Sequence, residues 1–191
     1  MLAKGLAKGS GVTVKKKQIV VLRYGHRQER DYRVTTHCCL VARALGAKKI
    51  IIAGEKDEGL KKSVMNVVKK WGNGFAIDFT QSWRRIVKQF KRNGFFVIHL
   101  TMYGLPMQQR IKKLREQKKV LVIIGSQKVE GEVYRQSDAN IAVTAQPHSE
   151  IAALAILLDW LQQGKELEKK FKGAKIKITP AERGKKVVKT G

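Results

Sequence analysis

Acidic residues are scarce in this chain: 15 Asp and Glu stand against 40 Lys and Arg in 191 residues, a formal charge of +25. Lysine-rich thermophile surfaces usually carry glutamate as well, so the excess points to a polyanionic partner rather than to a merely soluble surface. Cysteine is nearly absent. Cys38 and Cys39 are adjacent, cannot build a disulfide framework, and suit a reducing, cytoplasmic home. No apolar run approaches the roughly 18–20 residues that a membrane span requires, and no basic amphipathic helix offers to lie on a lipid surface. No membrane partner is expected; nucleic acid is the favoured polyanion. Residues 1–17 lack the apolar centre of a secretory signal and read as a basic arm with five lysines and no acid.

Chemical signatures are missing too. There is no G-x-x-x-x-G-K-[ST] and no G-x-G-x-x-G after the first strand, which sets aside P-loop enzymes and the ordinary dinucleotide fingerprint. No Cys/His spacing suits zinc, no acidic cluster suits a two-metal site, and no G-x-S-x-G supports a serine hydrolase. No metal is expected.

What is present is a regular alternation. The chain is 43% apolar, enough for a real core. Short Val/Ile-rich runs at Ile19–Leu22, Lys49–Ala53, Phe75–Ile77, Phe95–Leu100, Val120–Ile124 and Asn140–Val143 predict strands buried on both faces. Helical periods lie between and after them, at Thr36–Leu45, Glu58–Trp71, Ser82–Arg92, Met107–Gln117, Gly131–Ser137 and Ser149–Gln163. This predicts an α/β fold, a mostly parallel sheet flanked by helices. Ser149–Gln163 is apolar nearly all round and needs cover from the domain or from a second subunit. The expected organisation is a basic arm (1–17), one α/β domain (18–168) and a basic tail (169–191) with a weak strand at Lys175–Ile178. Residues 165–191 carry nine Lys and one Arg against three acids.

Candidate functional residues gather at strand ends, where open α/β sheets bind their ligands. After the first strand, Arg23, His26, Arg27, Arg30, Arg33 and His37 are expected in one loop, where guanidinium forks suit phosphate. The competing reading is a surface Arg–Asp network involving Asp31, or, for the histidines, caps and core partners. Arg43 interrupts an apolar helical stretch and either snorkels outward or aims at a site. Three later loops, His99–Pro106, Gly125–Gly131 and Val143–Glu150, outline a pocket for a mid-sized, partly apolar ligand.

Five segments carry a resemblance: LRYGHRQERD (22–31), THCCLVARALG (36–46), HLTMYGLP (99–106), GSQKVEGEVY (125–134) and VTAQPHSEIAA (143–153). Together they are similar to the archaeal tRNA cytidine-56 2′-O-methyltransferases, of the SPOUT methyltransferase class, from about Ile19 to Leu167. The resemblance implies a deep C-terminal trefoil knot, a homodimer that would cover the apolar helix, and S-adenosyl-L-methionine as cofactor. The implied cofactor residues are Leu100, then Gly125, Ser126, Gln127, Lys128 and Val129, then Val143, Thr144, Ala145, Gln146, Pro147, His148, Ser149 and Glu150. Arg43 would stand by the methyl acceptor.

Two positions depart from the family pattern: Gln127 replaces a frequent Glu, and Glu130 a frequent Pro. A guanidinium keeps its proton, so Arg43 is read as an electrostatic clamp, with a phosphate oxygen, His26 or His37 left to take the hydroxyl proton. The expected reaction moves a methyl group to the ribose 2′-hydroxyl of cytidine 56 in tRNA. A related enzyme acting on another RNA and a non-catalytic basic RNA-binding protein are the alternatives.

Overall fold

The computed structural model describes residues 17–125 and 129–190. Six strands form one parallel sheet: β1 (Gln18–His26), β2 (Lys49–Gly54), β3 (Ala76–Thr80), β4 (Phe96–Pro106), β5 (Lys119–Gly125) and β6 (Ala139–Ala142), in the order β3-β2-β1-β5-β4-β6. β1 and β5 sit inside the sheet, with Ile19 opposite Val120 and Leu22 opposite Ile123. Both are buried over four or five consecutive residues, which is why they read as unbroken apolar runs. All six expected strands and all six expected helices are present.

The helices α1 (Gln28–Ala44), α2 (Glu58–Trp71), α3 (Trp83–Arg92), α4 (Met107–Glu116), α5 (Gly131–Gln136) and α6 (Glu150–Gln162) divide between two faces. α1, α2, α4 and α6 cover Ile19, Val21, Ile50, Ile98 and Val122. α3 and α5 cover the alternate residues Val20, Leu22, Ile51, Val97 and Leu121. Alternation along each strand thus supplies two cores. α2 shows the local logic: Leu60, Val64 and Val68 make its buried stripe, and the Asp57 carboxylate caps it by accepting from the Leu60 amide at 2.8 Å.

α1 begins eight residues before the expected Thr36. Its first two turns, QERDYRV, have little apolar period and are held by charge instead. The Arg27 amide donates to Asp31 at 3.0 Å, the Asp31 amide donates back to the Arg27 carbonyl at 2.9 Å, and the Gln28 amide donates to Glu55 at 2.7 Å. Glu29 and Asp31 also complement the helix dipole.

β4 continues past its expected end. Leu100 and Leu105 both register with Ile141, so Thr101–Gly104 bulges out of the ladder. Gly104 is required there, since a Cβ would lie 2.5 Å from the Ile141 amide nitrogen.

The expected tail is folded. β7 (Ile176–Thr179) and β8 (Lys186–Lys189) form an antiparallel hairpin. It is tied to the end of α2 by the Asn73 amide donating to the Lys172 carbonyl at 2.8 Å and the Lys175 amide donating to the Lys70 carbonyl at 2.9 Å. α6 buries Ala153, Leu154, Leu157, Leu158 and Leu161 and leaves Ile156 exposed.

Candidate active site

Because the strands are parallel, their carboxyl ends share one edge. There β4, β5 and the start of α6 enclose a cleft of about 620 Å³. Leu100, Gly125, Val129, Pro147, His148, Ser149 and Glu150, seven of the residues carried over for cofactor binding, line it. Ser126, Gln127 and Lys128 lie outside the described residues. Val143, Thr144, Ala145 and Gln146 lead from β6 toward the cleft without lining it. This segment folds on itself, with the Gln146 amide donating to Thr144 Oγ1 at 3.2 Å and His148 Nδ1 lying 2.7 Å from the Gln146 carbonyl. Ile124 and Ala153 complete an apolar wall. At Gly125 a Cβ would meet the Val129 side chain at 2.3 Å, so glycine lets Val129 pack against the chain there.

Residues that the resemblance did not supply also shape the cleft. His99 is buried, with Nδ1 2.9 Å from Asn140 Oδ1 and its ring edge-on to Tyr134 at 4.6 Å. Tyr134 in turn meets the Thr101 hydroxyl at 2.9 Å, which pins the β4 bulge. Tyr103, 78% exposed, projects from that bulge. His99 and Tyr103 stood in the quoted HLTMYGLP segment, and Tyr134 closes GSQKVEGEVY; a buried histidine between aromatic and amide partners has no periodic signal of its own. Glu130, the departure from the usual proline, accepts from the Tyr24 hydroxyl at 2.7 Å and pairs with Arg84 at 2.5 Å, so it ties the loop to β1 and α3.

The expected phosphate-gripping loop is corrected in three ways. First, it is mostly helix. Arg30, Arg33 and His37 lie on α1 at spacings of three and four, which puts them along one exposed side, and Val34 from the same helix lines the cleft. Second, Arg27 is exposed but pairs with Asp31 at 3.3 Å. Third, Arg23 and His26 are each only 1% exposed, so neither offers its side chain to a surface phosphate. His26 Nδ1 lies 3.0 Å from Thr35 Oγ1, Nε2 stands 3.8 Å from Asp57, and burial pulls its pKa below the ordinary histidine value. Arg23 forms an ion pair with Glu150 at 3.1 Å and donates to the Tyr24 carbonyl at 2.7 Å.

Arg43 is also relocated. It sits in the last turn of α1, fifteen residues beyond the helix start, a rise of about 22 Å. It therefore lies at the amino edge of the sheet, where the Lys48 amide returns to the Ile19 carbonyl at 2.9 Å. Within one chain it cannot stand beside a methyl acceptor in the cleft.

Solved structures of RNA methyltransferases of the SpoU/TrmH type share this fold. An RNA 2′-O ribose methyltransferase matches with a TM-score of 0.59 at 12% identity, over 86% of this chain and 62% of that one. The SpoU methyltransferase AviRb from Streptomyces viridochromogenes, in complex with the cofactor AdoMet, matches at 0.54 and 15% identity, over 78% and 58%. The TrmH/SpoU tRNA modifying enzyme of A. aeolicus matches at 0.57 and 15% identity, over 80% and 79%. The chain thus spans about three fifths of the first two.

Sequence narrows the class. The family model for tRNA ribose 2′-O-methyltransferase, aTrm56, matches residues 71–188, and the chain belongs to that family. The match runs through the hairpin, twenty residues beyond the expected end of the domain. Two curated relatives are named tRNA (cytidine(56)-2′-O)-methyltransferase. That of Methanopyrus kandleri is 51% identical over 88% of this chain and 94% of its own length. That of Pyrococcus horikoshii is 56% identical over 89% and 84%.

Proposed function

We propose that this protein transfers a methyl group from S-adenosyl-L-methionine to the ribose 2′-hydroxyl of cytidine 56 in tRNA. The observation that carries the reading is the convergence of Leu100, Gly125 and Pro147–Glu150 on one cleft at the sheet's carboxyl edge. The family membership and the names of its close relatives support the substrate. The cleft fits the cofactor: its volume suits a mid-sized ligand and its wall is apolar. When bound, the cofactor supplies an electrophilic methyl group on a positively charged sulfur.

The chain's own task is alignment, which supplies several kcal/mol of a group-transfer barrier. Leu100, Ile124 and Val129 exclude water, and Gly125 admits the ligand close to backbone. Arg30 and Arg33, with His37 one turn further on, form a basic side of α1 suited to the RNA backbone. Tyr103 offers an exposed ring on which a base can stack.

The same reading takes the protein as a cytoplasmic homodimer. Both cysteines are unpaired and buried, and no helix among the described residues is long and apolar enough to cross a membrane. Ile156, outward on α6 at 39% exposure, supports burial against a second copy. The trefoil knot is part of this reading, and the family membership supports it.

The test is methyl transfer from labelled cofactor to an unmodified tRNA transcript, beside one with a 2′-deoxy sugar at cytidine 56. Label on the first alone is expected. Equal label on both moves the target to another nucleotide. RNA binding without label on either overturns the enzyme reading in favour of a binding protein.

A further inference from the structure

Two buried polar atoms beside the cleft have no hydrogen-bond partner among the described residues: Arg23 Nε and Glu150 Oε2. Arg23 comes from β1 beneath the cleft, at 1% exposure. Glu150 opens α6 directly after its capping residue, Ser149, and lines the cleft. One carboxylate oxygen, Oε1, is held by Arg23 Nη2 at 3.1 Å. The other is withdrawn from water with no donor among the described residues. Such an arrangement is expensive in a folded core and marks a place where a ligand group completes the site.

We propose that Glu150 is the proton acceptor for the ribose 2′-hydroxyl and that Arg23 is the residue that positions it. The inference rests on the methyl-transfer reading above. As the reaction proceeds, the O2′–H bond breaks and its proton passes to Glu150 Oε2. An O2′ electron pair forms the new bond to the methyl carbon. The carbon–sulfur bond breaks with its pair remaining on sulfur, which becomes neutral. Glu150 then returns its proton to solvent as the cleft opens. No further reactant is required.

The histidines stand differently. His26 is enclosed by Thr35 and Asp57. His99 Nδ1 donates to Asn140 Oδ1 at 2.9 Å and His148 Nδ1 to the Gln146 carbonyl at 2.7 Å, which leaves Nε2 of each as the rival acceptor that a Glu150→Gln rate near wild type would implicate. His37 is exposed on the outer side of α1. Among the described residues, the charged and titratable groups around Glu150 are Arg23 from β1, Asp31 and Cys38 from α1, and, lining the same cleft, His99 and Tyr103 from β4, Tyr134 from α5 and its neighbour His148. Burial and Asp31 raise the Glu150 carboxyl above its ordinary value while Arg23 opposes them, which moves its proton affinity toward working pH. Burial keeps the Cys38 thiol protonated, so it does not compete.

The test compares the full-length wild type with Glu150→Gln, which keeps an oxygen for Arg23. Single-turnover methyl transfer is followed from pH 5 to 9, beside calorimetric cofactor affinity and melting temperature. We expect the Glu150→Gln rate to fall about 10²–10⁴-fold and to lose the wild-type acid limb, with cofactor affinity within about threefold of wild type. Arg23→Lys keeps the charge but loses the fork; it should shift the acid limb and lower the maximal rate by about tenfold. A folded Glu150→Gln protein at near wild-type rate overturns the inference. So does a rate loss matched by an equal loss of cofactor affinity, because the carboxylate then binds rather than accepts a proton. Should the glutamine variant not fold, Glu150→Asp retains the charge but retracts it, and a wild-type rate there overturns the inference equally. A wild-type protein that labels no tRNA brings down the methyl-transfer reading instead.

Discussion

The Arg43 guanidinium lies 4.4 Å from the centre of the Phe171 ring and donates to the Gly72 carbonyl at 2.9 Å. This one side chain joins α1, the end of α2 and the segment leading into the C-terminal hairpin. Gly72 is itself required, since a Cβ would sit 2.6 Å from that of Phe171. Arg43→Ala should therefore destabilise the protein by about 2 kcal/mol, from the lost cation–π contact and charged hydrogen bond. For a chain of this size that lowers Tm by roughly 4–8 °C. If Arg43 serves only its own chain, where it lies outside the cleft, kcat below that temperature should stay within about threefold of wild type. A folded variant with abolished kcat would return Arg43 to the chemistry.

That residue also shows where the sequence stops being readable. Strands such as Val120–Ile124 declare themselves because both faces are buried, and the α2 stripe because Leu60, Val64 and Val68 recur at helical spacing. The early turns of α1 do not, because ion pairs and capping hold them. The cleft was legible as three loops after successive strands, and Leu100, Gly125 and Glu150 do meet there. Arg43 was not. A motif gives its place along the chain, but only the helix length and direction show that it ends at the other edge. The burial of Arg23 was equally hidden, because an arginine in a basic segment has the same letter whether it faces phosphate or a buried carboxylate.

Two buried histidines give stability a pH dependence. His26 and His99 both have pKa values pulled below the ordinary one by burial. Unfolding therefore takes up protons at each as pH falls through the unfolded histidine pKa, and stability decreases on the acid side of about pH 6.5 by at most about 1.4 kcal/mol per pH unit per histidine. The raised Glu150 carboxyl acts in the opposite sense, losing its contribution as pH rises above the ordinary glutamate range. Melting curves between pH 7.5 and 5.5 should show Tm falling with pH. His26→Gln and His99→Gln should each flatten that slope; an unchanged slope in both would place the titrating groups elsewhere.

The two glycines at the cleft should fail differently. A Cβ at Gly104 meets the backbone of Ile141 and Asn140 at 2.5–2.6 Å, which cannot yield, whereas one at Gly125 meets only the Val129 side chain. Gly104→Ala should dislodge β6 from the bulge and lower Tm sharply, destabilising the protein by more than the roughly 0.5–3 kcal/mol of an ordinary point change. Gly125→Ala should fold, pushing Val129 into the cleft and weakening cofactor binding by about tenfold or more, one misplaced contact being worth about 1.4 kcal/mol. Calorimetric titration beside a melting curve separates the two, and equal effects in both assays would contradict the distinction.

The hairpin carries its charge outward. Lys177 and Lys186 are exposed on β7 and β8, and the hydrophobic residues beside them, Ile178 and Val187, are 65% and 56% exposed. Neither lysine supports the body of the protein, so replacing both with serine should leave Tm nearly unchanged. If the hairpin grips RNA backbone, each lost phosphate contact lowers the slope of log affinity against log salt by about 0.7–0.9. The double variant should bind tRNA more weakly at low salt and lose up to about two units of slope at most. It should bind no worse than wild type at high salt, where released counterions no longer favour the complex. Methyl transfer at saturating tRNA should persist, because the hairpin is anchored at the amino edge of the sheet and the cleft opens at the other. An unchanged salt slope would mean that the RNA lies wholly on the α1 side and that the hairpin serves the fold alone.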